Sequence, residues 1–384
     1  MRIAIFNDIS RVRLLELLPD FQEVNLKENP DAILLRSENL NTKTDLLPHS
    51  LSAICRAGSG VHNIPLDWCN EHGVAVFNTP AANANAVAEL VHCALIVSTR
   101  NLGEALRYMR ENAGKGVDWE KLKSRFRGNE IRGKRILVVG LGAIGLLVAQ
   151  ACKKSGMLVD CYDPYAPAEK FSEFTRIKTL DTKLPYDYIT LHMTLTDETR
   201  HLVNATFLNR MKRGVILLNF VRAEAVEQDA IRIALREKTI QTYVSDFVDE
   251  ELLSEFDEKD VIFLPHLGAS TQEAEENALI MSAEQLHEFW CKGVVTNSVN
   301  FPTLKTDAPY YPRLAISNKD ILGIIAQYTA IIRDASLNIK SQIHHSKGKI
   351  AYGIVDISPA NTDLSHIAKK IREIDGVTGV RVVY

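Results

Sequence analysis

The sequence has no apolar run approaching the roughly 20 residues of a membrane-spanning helix, so no membrane partner is expected. It has no CxxC pair and no zinc-ligand spacing. Its six cysteines (Cys55, Cys69, Cys93, Cys152, Cys161 and Cys291) are scattered, mostly through apolar stretches. That excludes a disulfide framework and a structural metal site, and reads as reduced packing residues in a cytoplasmic protein. Basic charge is not in excess: the net charge of -3 argues against a nucleic-acid partner. Internal repeats and low-complexity tracts are missing too. Residues Met1 to Asp8 read as a short strand, without the long apolar core of a signal peptide. The remaining composition, 46% apolar and 24% charged over 384 residues, suits a globular protein of two or three domains.

The chain is organised around the stretch from Ile136 to Asp163. Ile136 to Val139 is an unbroken apolar run, as expected of a parallel strand covered on both faces. Gly140, Gly142 and Gly145 follow as G-x-G-x-x-G, then an apolar helical stretch from Ile144 to Ala151, then a second short run from Met157 to Cys161 ending at Asp163. Each part has a physical reason. The first glycine permits a tight turn, the second lets backbone approach a pyrophosphate, and the third lets helix and strand pack closely. The free N–H groups at the helix start favour phosphate. A carboxylate some twenty residues on accepts hydrogen bonds from ribose hydroxyls and repels a 2′-phosphate, so Asp163 predicts NAD rather than NADP.

Around this stretch, strands alternate with helices. Before it, strands are predicted at Ile3–Phe6, Ala32–Leu35, Ala53–Cys55 and Val74–Phe77, followed by a long apolar helix from Ala86 to Thr99. After it, strands are predicted at Tyr188–Leu191, Val215–Asn219, Thr242–Ser245 and Val261–Leu264, then a helix from Ser270 to Trp290 and a strand-like return over Val295–Val299. A linker over Phe301–Pro312, with Pro309 inside it, leads to a strand–helix–strand–strand–helix–strand ending. Its predicted helices are Ile321–Asp334 and Asp363–Ile374, which gives a ferredoxin-like βαββαβ unit. The fold class is therefore α/β, with three parts. Residues 1–96 and 275–304 form a flavodoxin-like split substrate domain. Residues 97–274 form a Rossmann-type doubly wound nucleotide domain, and residues 313–384 the βαββαβ domain.

A bound nicotinamide implies hydride transfer, which needs a base, a cation for a carboxylate or carbonyl, and orientation of the ring. Candidates belong at the carboxyl ends of the strands after Asp163: Arg222 in LLNFVRAEAV, Glu251 in DFVDEEL and His266 in PHLGAST. Taken alone, a histidine at a strand end is more often a satisfied loop residue, and an acidic run is more often a solvated face.

Read together, RAGSGVHNI (56–64), NTPAANANAVAEL (78–90), GLGAIG (140–145), LHMTLTDETRHL (191–202), NFVRAEAV (219–226), SDF (245–247) and PHLGAST (265–271) resemble the D-isomer-specific 2-hydroxyacid dehydrogenases. The βαββαβ ending resembles the ACT regulatory domain found on such enzymes. The resemblance implies that His266 is the general acid/base, that Glu251 hydrogen-bonds and orients it, and that Arg222 grips the substrate carboxylate and carbonyl. It implies that Ser59 and Gly60 offer backbone N–H groups to that carboxylate, with Asn83 nearby and Arg56 suited to a phosphate. NAD would be lined by Thr79, Gly142, Ala143, Ile144, Asp163, Met193, Thr194, Phe220, Val221, Arg222, Asp246, His266, Gly268 and Ala269. The implied reaction is oxidation of a small phosphorylated hydroxy acid, 3-phospho-D-glycerate. The alternatives are reduction of another 2-keto acid (hydroxypyruvate, glyoxylate or 2-oxoglutarate) and a non-catalytic NAD-sensing protein of the same fold. Family members pair through their nucleotide domains, so a homodimer or tetramer is expected.

The chain also departs from the family's pattern. Ala143 replaces the arginine common in GLGRIG, Thr194 a usual proline, Ala223 a usual glycine, and Leu252 the proline usually following the acid. In the ACT-like part, Asn318-Lys319-Asp320-Ile321 stands where an Asn-x-Pro-Gly turn is expected, and Ile316 where serine-binding members place a histidine. Isoleucine does not readily adopt the positive φ such a turn uses. The domain is therefore expected to serve assembly or to take a small-molecule effector other than serine.

Overall fold

A computed structural model describes residues 1–307, 310–359 and 362–383. Pro309 in the predicted linker lies outside the described residues. The chain divides into two compact units, Met1–Ala82 with Glu275–Tyr384, and Asn83–Ala274.

In the first unit, β1 (Arg2–Ile5), β2 (Gln22–Glu23), β3 (Ala32–Leu35), β4 (Ala53–Arg56) and β5 (Ala75–Phe77) form a parallel sheet in the order β2-β1-β3-β4-β5. This is the flavodoxin-like order. β3 is buried along its whole length because both faces are covered. Ala32 and Leu34 pack with Leu279, Ala283 and Leu286 of the helix Gln272–Lys292, while Ile33 and Leu35 pack with Leu40, Ile64 and Val76. The predicted return over Val295–Val299 does not form a strand. Only bridges from Val295 to Leu304 and from Phe77 to Ser298 appear, because Asn297 takes a left-handed conformation (φ 54°) that breaks the extended run.

In the second unit, β6 (Arg135–Val139), β7 (Leu158–Tyr162), β8 (Thr175–Arg176), β9 (Tyr188–Leu191), β10 (Val215–Asn219), β11 (Ile240–Ser245) and β12 (Val261–Phe263) form a parallel sheet ordered β12-β11-β10-β9-β6-β7-β8. The order reverses between β6 and β9, and the crevice outside the carboxyl ends there is where doubly wound sheets bind ligands. The helix Ala84–Thr99 packs on this sheet. Its Val87, Val91 and Leu95 share a core with Ile136 and Val138, which accounts for its apolar sequence within one chain.

The C-terminal segment has β13 (Arg313–Lys319), β14 (Asn338–Lys347), β15 (Ile350–Ser358) and β16 (Val377–Val383) in an antiparallel sheet ordered β14-β15-β13-β16. One face carries the helices Ile324–Asp334 and Ser365–Arg372, over Leu314, Ile316, Val355 and Ile357. The first of these helices starts three residues later than predicted, after Gly323 in the left-handed region (φ 82°). The alternating residues Ala315, Tyr352, Ile354 and Val383 face the other way, into the core of the parallel-sheet lobe with Phe77, Leu286 and Phe289. Period-two alternation puts a buried set on each face, which is why β15 is buried almost throughout. Arg313, only 2% exposed, anchors this segment with a forked ion pair to Asp356 at 2.6 and 2.9 Å.

Candidate active site

The glycine turn is built as its spacing predicts. Gly140 has φ +94°, and a Cβ there would meet the Met193 nitrogen at 2.4 Å. A Cβ on Gly145 would lie 1.9 Å from the Gly140 carbonyl oxygen, so only glycine lets the helix Ala143–Lys154 begin this close to the strand. Above Gly142 there is open space, and no side chain caps the helix start. These are the features that admit a pyrophosphate.

Asp163 does more than the sequence implies. Its Oδ2 accepts the Leu141 N–H at 2.8 Å, inside the glycine turn, and its Oδ1 accepts the N–H groups of Tyr165 and Ala166 at 2.9 and 3.0 Å. It therefore ties the turn to the end of β7. Two further residues support the turn: Lys170, which nothing in the sequence singles out, and His192, which the sequence reads equally as a residue beside the cofactor or as a buried structural histidine. Lys170 donates to the Leu141 carbonyl at 3.0 Å. His192 lies beneath the turn, bonded to Thr190 Oγ1 at 2.8 Å, and desolvation lowers its pKa to about 3, which keeps it neutral. Its signal was its place directly after β9. Met193, half-buried, and Thr194, exposed, follow it in the chain.

Beyond β10, Asn219 shapes the next loop. Fully buried, it donates to the Arg222 carbonyl at 2.9 Å and to the Tyr243 hydroxyl at 3.2 Å, and accepts the Val221 N–H at 3.2 Å. Phe220 is buried, and Arg222 is exposed in extended backbone (φ −163°) with no carboxylate partner among the described residues. After β11, Asp246 is 4% exposed, and its Oδ1 has no hydrogen-bond partner among the described residues. Burial raises its pKa, opposed by the nearby charges of His266 and Arg222 and by a backbone hydrogen bond from Gly268. After β12, His266 is exposed in the left-handed region (φ 50°), its N–H bonded to the carbonyls of Leu264 and Asp246 at 2.8 and 3.1 Å. Its ring lies 5.0 Å from that of Phe247. Arg222, Asp246 and His266 thus come together from three strand ends.

Glu251 is not brought to His266, contrary to the expected hydrogen bond. Asp249 caps the helix Glu250–Glu255 by accepting the N–H groups of Glu251 and Leu252, each at 3.0 Å. That turns Glu251 outward, where its carboxylate meets Arg232 at 2.5 Å with 81% side-chain exposure.

In the first unit, β4 ends in the loop expected to hold a carboxylate. Arg56 donates from Nε to the Arg36 carbonyl at 3.0 Å and from Nη1 to the Gly60 carbonyl at 2.6 Å, so it braces that loop. Asn78 ties down the Ser59 carbonyl at 2.6 Å, and the Thr79 N–H bonds the Gly58 carbonyl at 3.1 Å. Thr79 Oγ1 is buried with no partner among the described residues. Asn83, in the second unit, precedes the helix Ala84–Thr99 without capping it through its side chain. Gly268 is buried and Ala269 half-buried behind the His266 loop.

An uncapped helix start, open space at Gly142 and an unpartnered buried carboxylate oxygen fit a nicotinamide dinucleotide, and an arginine and an imidazole border the same crevice. This is the site of a nucleotide-dependent dehydrogenase. The family pattern described as D-isomer specific 2-hydroxyacid dehydrogenase, NAD binding domain, matches residues 93–268. D-3-phosphoglycerate dehydrogenase of Haemophilus influenzae is 31% identical over 85% of this chain and 79% of its own length. The enzyme of that name from Methanocaldococcus jannaschii is also 31% identical, and this chain spans 58% of its length. An NAD+-bound 3-phosphoglycerate dehydrogenase structure from Entamoeba histolytica superposes with a TM-score of 0.64 at 24% identity, covering 79% of this chain and 99% of that one. The chain belongs to the D-isomer specific 2-hydroxyacid dehydrogenase family, and its Rossmann domain binds NAD.

Among the described residues no helix is long and apolar enough to cross a membrane.

Proposed function

We propose that the chain oxidises 3-phospho-D-glycerate to 3-phosphohydroxypyruvate, the opening step of L-serine synthesis, acting as a homodimer or tetramer in the cytoplasm. The carrying observation is the convergence of Arg222 and His266 on buried Asp246 at the carboxyl ends of β10, β11 and β12. The glycine turn and the uncapped start of the helix Ala143–Lys154 would hold NAD, which would supply a hydride acceptor for the carbinol carbon. His266 takes the hydroxyl proton, and Arg222 holds the carboxylate and the forming carbonyl with a planar fork that lysine lacks. Ser59 and Gly60 supply backbone donors to the carboxylate, Asn83 lies beside the substrate, and the charge of Arg56 favours the phosphate. Asp246, through its unpartnered Oδ1, orients the nicotinamide. Glu251 leaves Arg232 to bond His266 once substrate is bound.

L-serine is not the effector on this reading. Asn318, fully buried, donates to the Lys319 carbonyl at 2.7 Å and bonds the His344 ring at 3.2 Å, so both ends of its amide are used internally. The test is NADH formation by the purified chain with NAD and 3-phosphoglycerate, with and without L-serine. Turnover unchanged by L-serine is expected. An inert preparation that instead reduces glyoxylate, hydroxypyruvate or 2-oxoglutarate would reject the substrate.

A further inference from the structure

Within the first unit, a cavity of about 400 Å³ lies at the seam where the C-terminal sheet packs on the parallel-sheet lobe. The lobe contributes His49, Ser52 and His72, and the C-terminal segment contributes Arg372, Thr378 and Arg381. No carboxylate lines it among the described residues. The two guanidiniums are fixed by carbonyls. Arg381 donates to Trp290 at 2.7 Å and Phe289 at 2.5 Å, with its guanidinium over both rings, and Arg372 donates to Val380 at 2.5 Å. Carbonyls orient a cation but leave its charge standing. Neither arginine has an ion-pair partner among the described residues; burial disfavours the charge of Arg381, and the Asp31 carboxylate, not in ion-pair contact, offsets that only in part. A partly desolvated cation without a counter-charge in contact is costly, and an anion placed beside it recovers that cost.

We propose that this cavity binds a small oxyanion, the phosphate or carboxylate group of a metabolite, between Arg372, Arg381 and His72. The placement gives such a ligand a route to the substrate loops. Ser52 immediately precedes β4, whose far end carries the Arg56–Gly60 loop, and Gly73 on the cavity wall lies just before β5, whose far end carries Asn78 and Thr79. A ligand at the seam holds the C-terminal sheet against the amino ends of those two strands. The regulatory consequence rests on the proposed role of Arg56–Gly60; the binding itself does not.

The test is calorimetric titration of the full chain with inorganic phosphate and, separately, with malonate, against chloride at equal ionic strength. Saturable binding of at least one is expected. Arg372→Gln, and independently His72→Gln, weaken it about tenfold or more, a change of about 1.4 kcal/mol. Arg222→Gln leaves it unchanged. Binding of phosphate alone assigns a phosphate ester, and binding of malonate alone a dicarboxylate. Absence of saturable binding by either, or binding lost in Arg222→Gln and kept in both seam variants, would overturn the proposal. Neither result requires turnover, so an error in the substrate reading leaves the test intact.

Discussion

The glycine turn over residues 140–145 is a site made of backbone, whereas the cavity at the C-terminal seam is a site made of side chains. In the first, the ligand-facing groups are N–H donors whose positions follow from strand, turn and helix, and the supporting contacts are local or one strand away. In the second, the cations come from the last helix and the last strand, and the imidazoles from two loops some three hundred residues earlier in the chain. Backbone sites leave a periodic trace in sequence. Side-chain sites of this kind leave none, because no short window contains them.

The largest effect is expected from adding one methyl group to the turn. Gly145→Ala places a Cβ against the Gly140 carbonyl, so the helix start must move. We expect NAD affinity to fall by at least a hundredfold, about 2.7 kcal/mol, together with a lower melting midpoint of the free protein. Gly142→Ala meets open space, and should weaken NAD with the melting midpoint unchanged. Equal midpoints for the two variants would show that the third glycine is not a packing requirement.

A smaller effect is expected at Asp246. Burial raises its folded pKa above the ordinary carboxylate value, so the folded protein holds this proton more tightly than the unfolded chain. Stability is then lost as pH rises through the window between the two values. Asp246→Asn should melt higher than the parent at pH 8 in the absence of cofactor, and the gap should close as pH falls below about 4. A gap independent of pH would mean that the gain has another source.

The smallest expected change is at Glu251. If it reaches His266 only after substrate binds, Glu251→Gln moves the acid limb of the kcat profile to lower pH, while the kcat/KM limb, which reports the free enzyme, stays in place. Movement of both limbs would contradict the outward position seen here.

Much of the fold was legible because β-strand burial and helix periodicity act over short windows. The runs at Ala32–Leu35, Ile136–Val139 and Tyr188–Leu191 became central parallel strands as read. Val295–Val299 did not, since Asn297 takes a left-handed turn inside an apolar run. Within the site, Arg222 and His266 were legible from motif context. Asn219 and Lys170 were not, because their roles depend on which neighbouring strand end their side chains reach, and for His192 the sequence left a place beside the cofactor and a buried structural role equally open. Glu251 shows the converse: its place in DFVDEEL singled it out, but the cap made by Asp249 decides which way the side chain points.

On the proposed reaction, the His266 imidazole on the loop after β12 takes the proton as hydride leaves. The most direct test of that step is NADH formation from 3-phosphoglycerate by His266→Ala, with NAD affinity measured on the same preparation. General acid/base catalysis by His266 requires a fall in kcat of about 10²–10⁴-fold with NAD affinity retained. Turnover within a few-fold of the parent would contradict it.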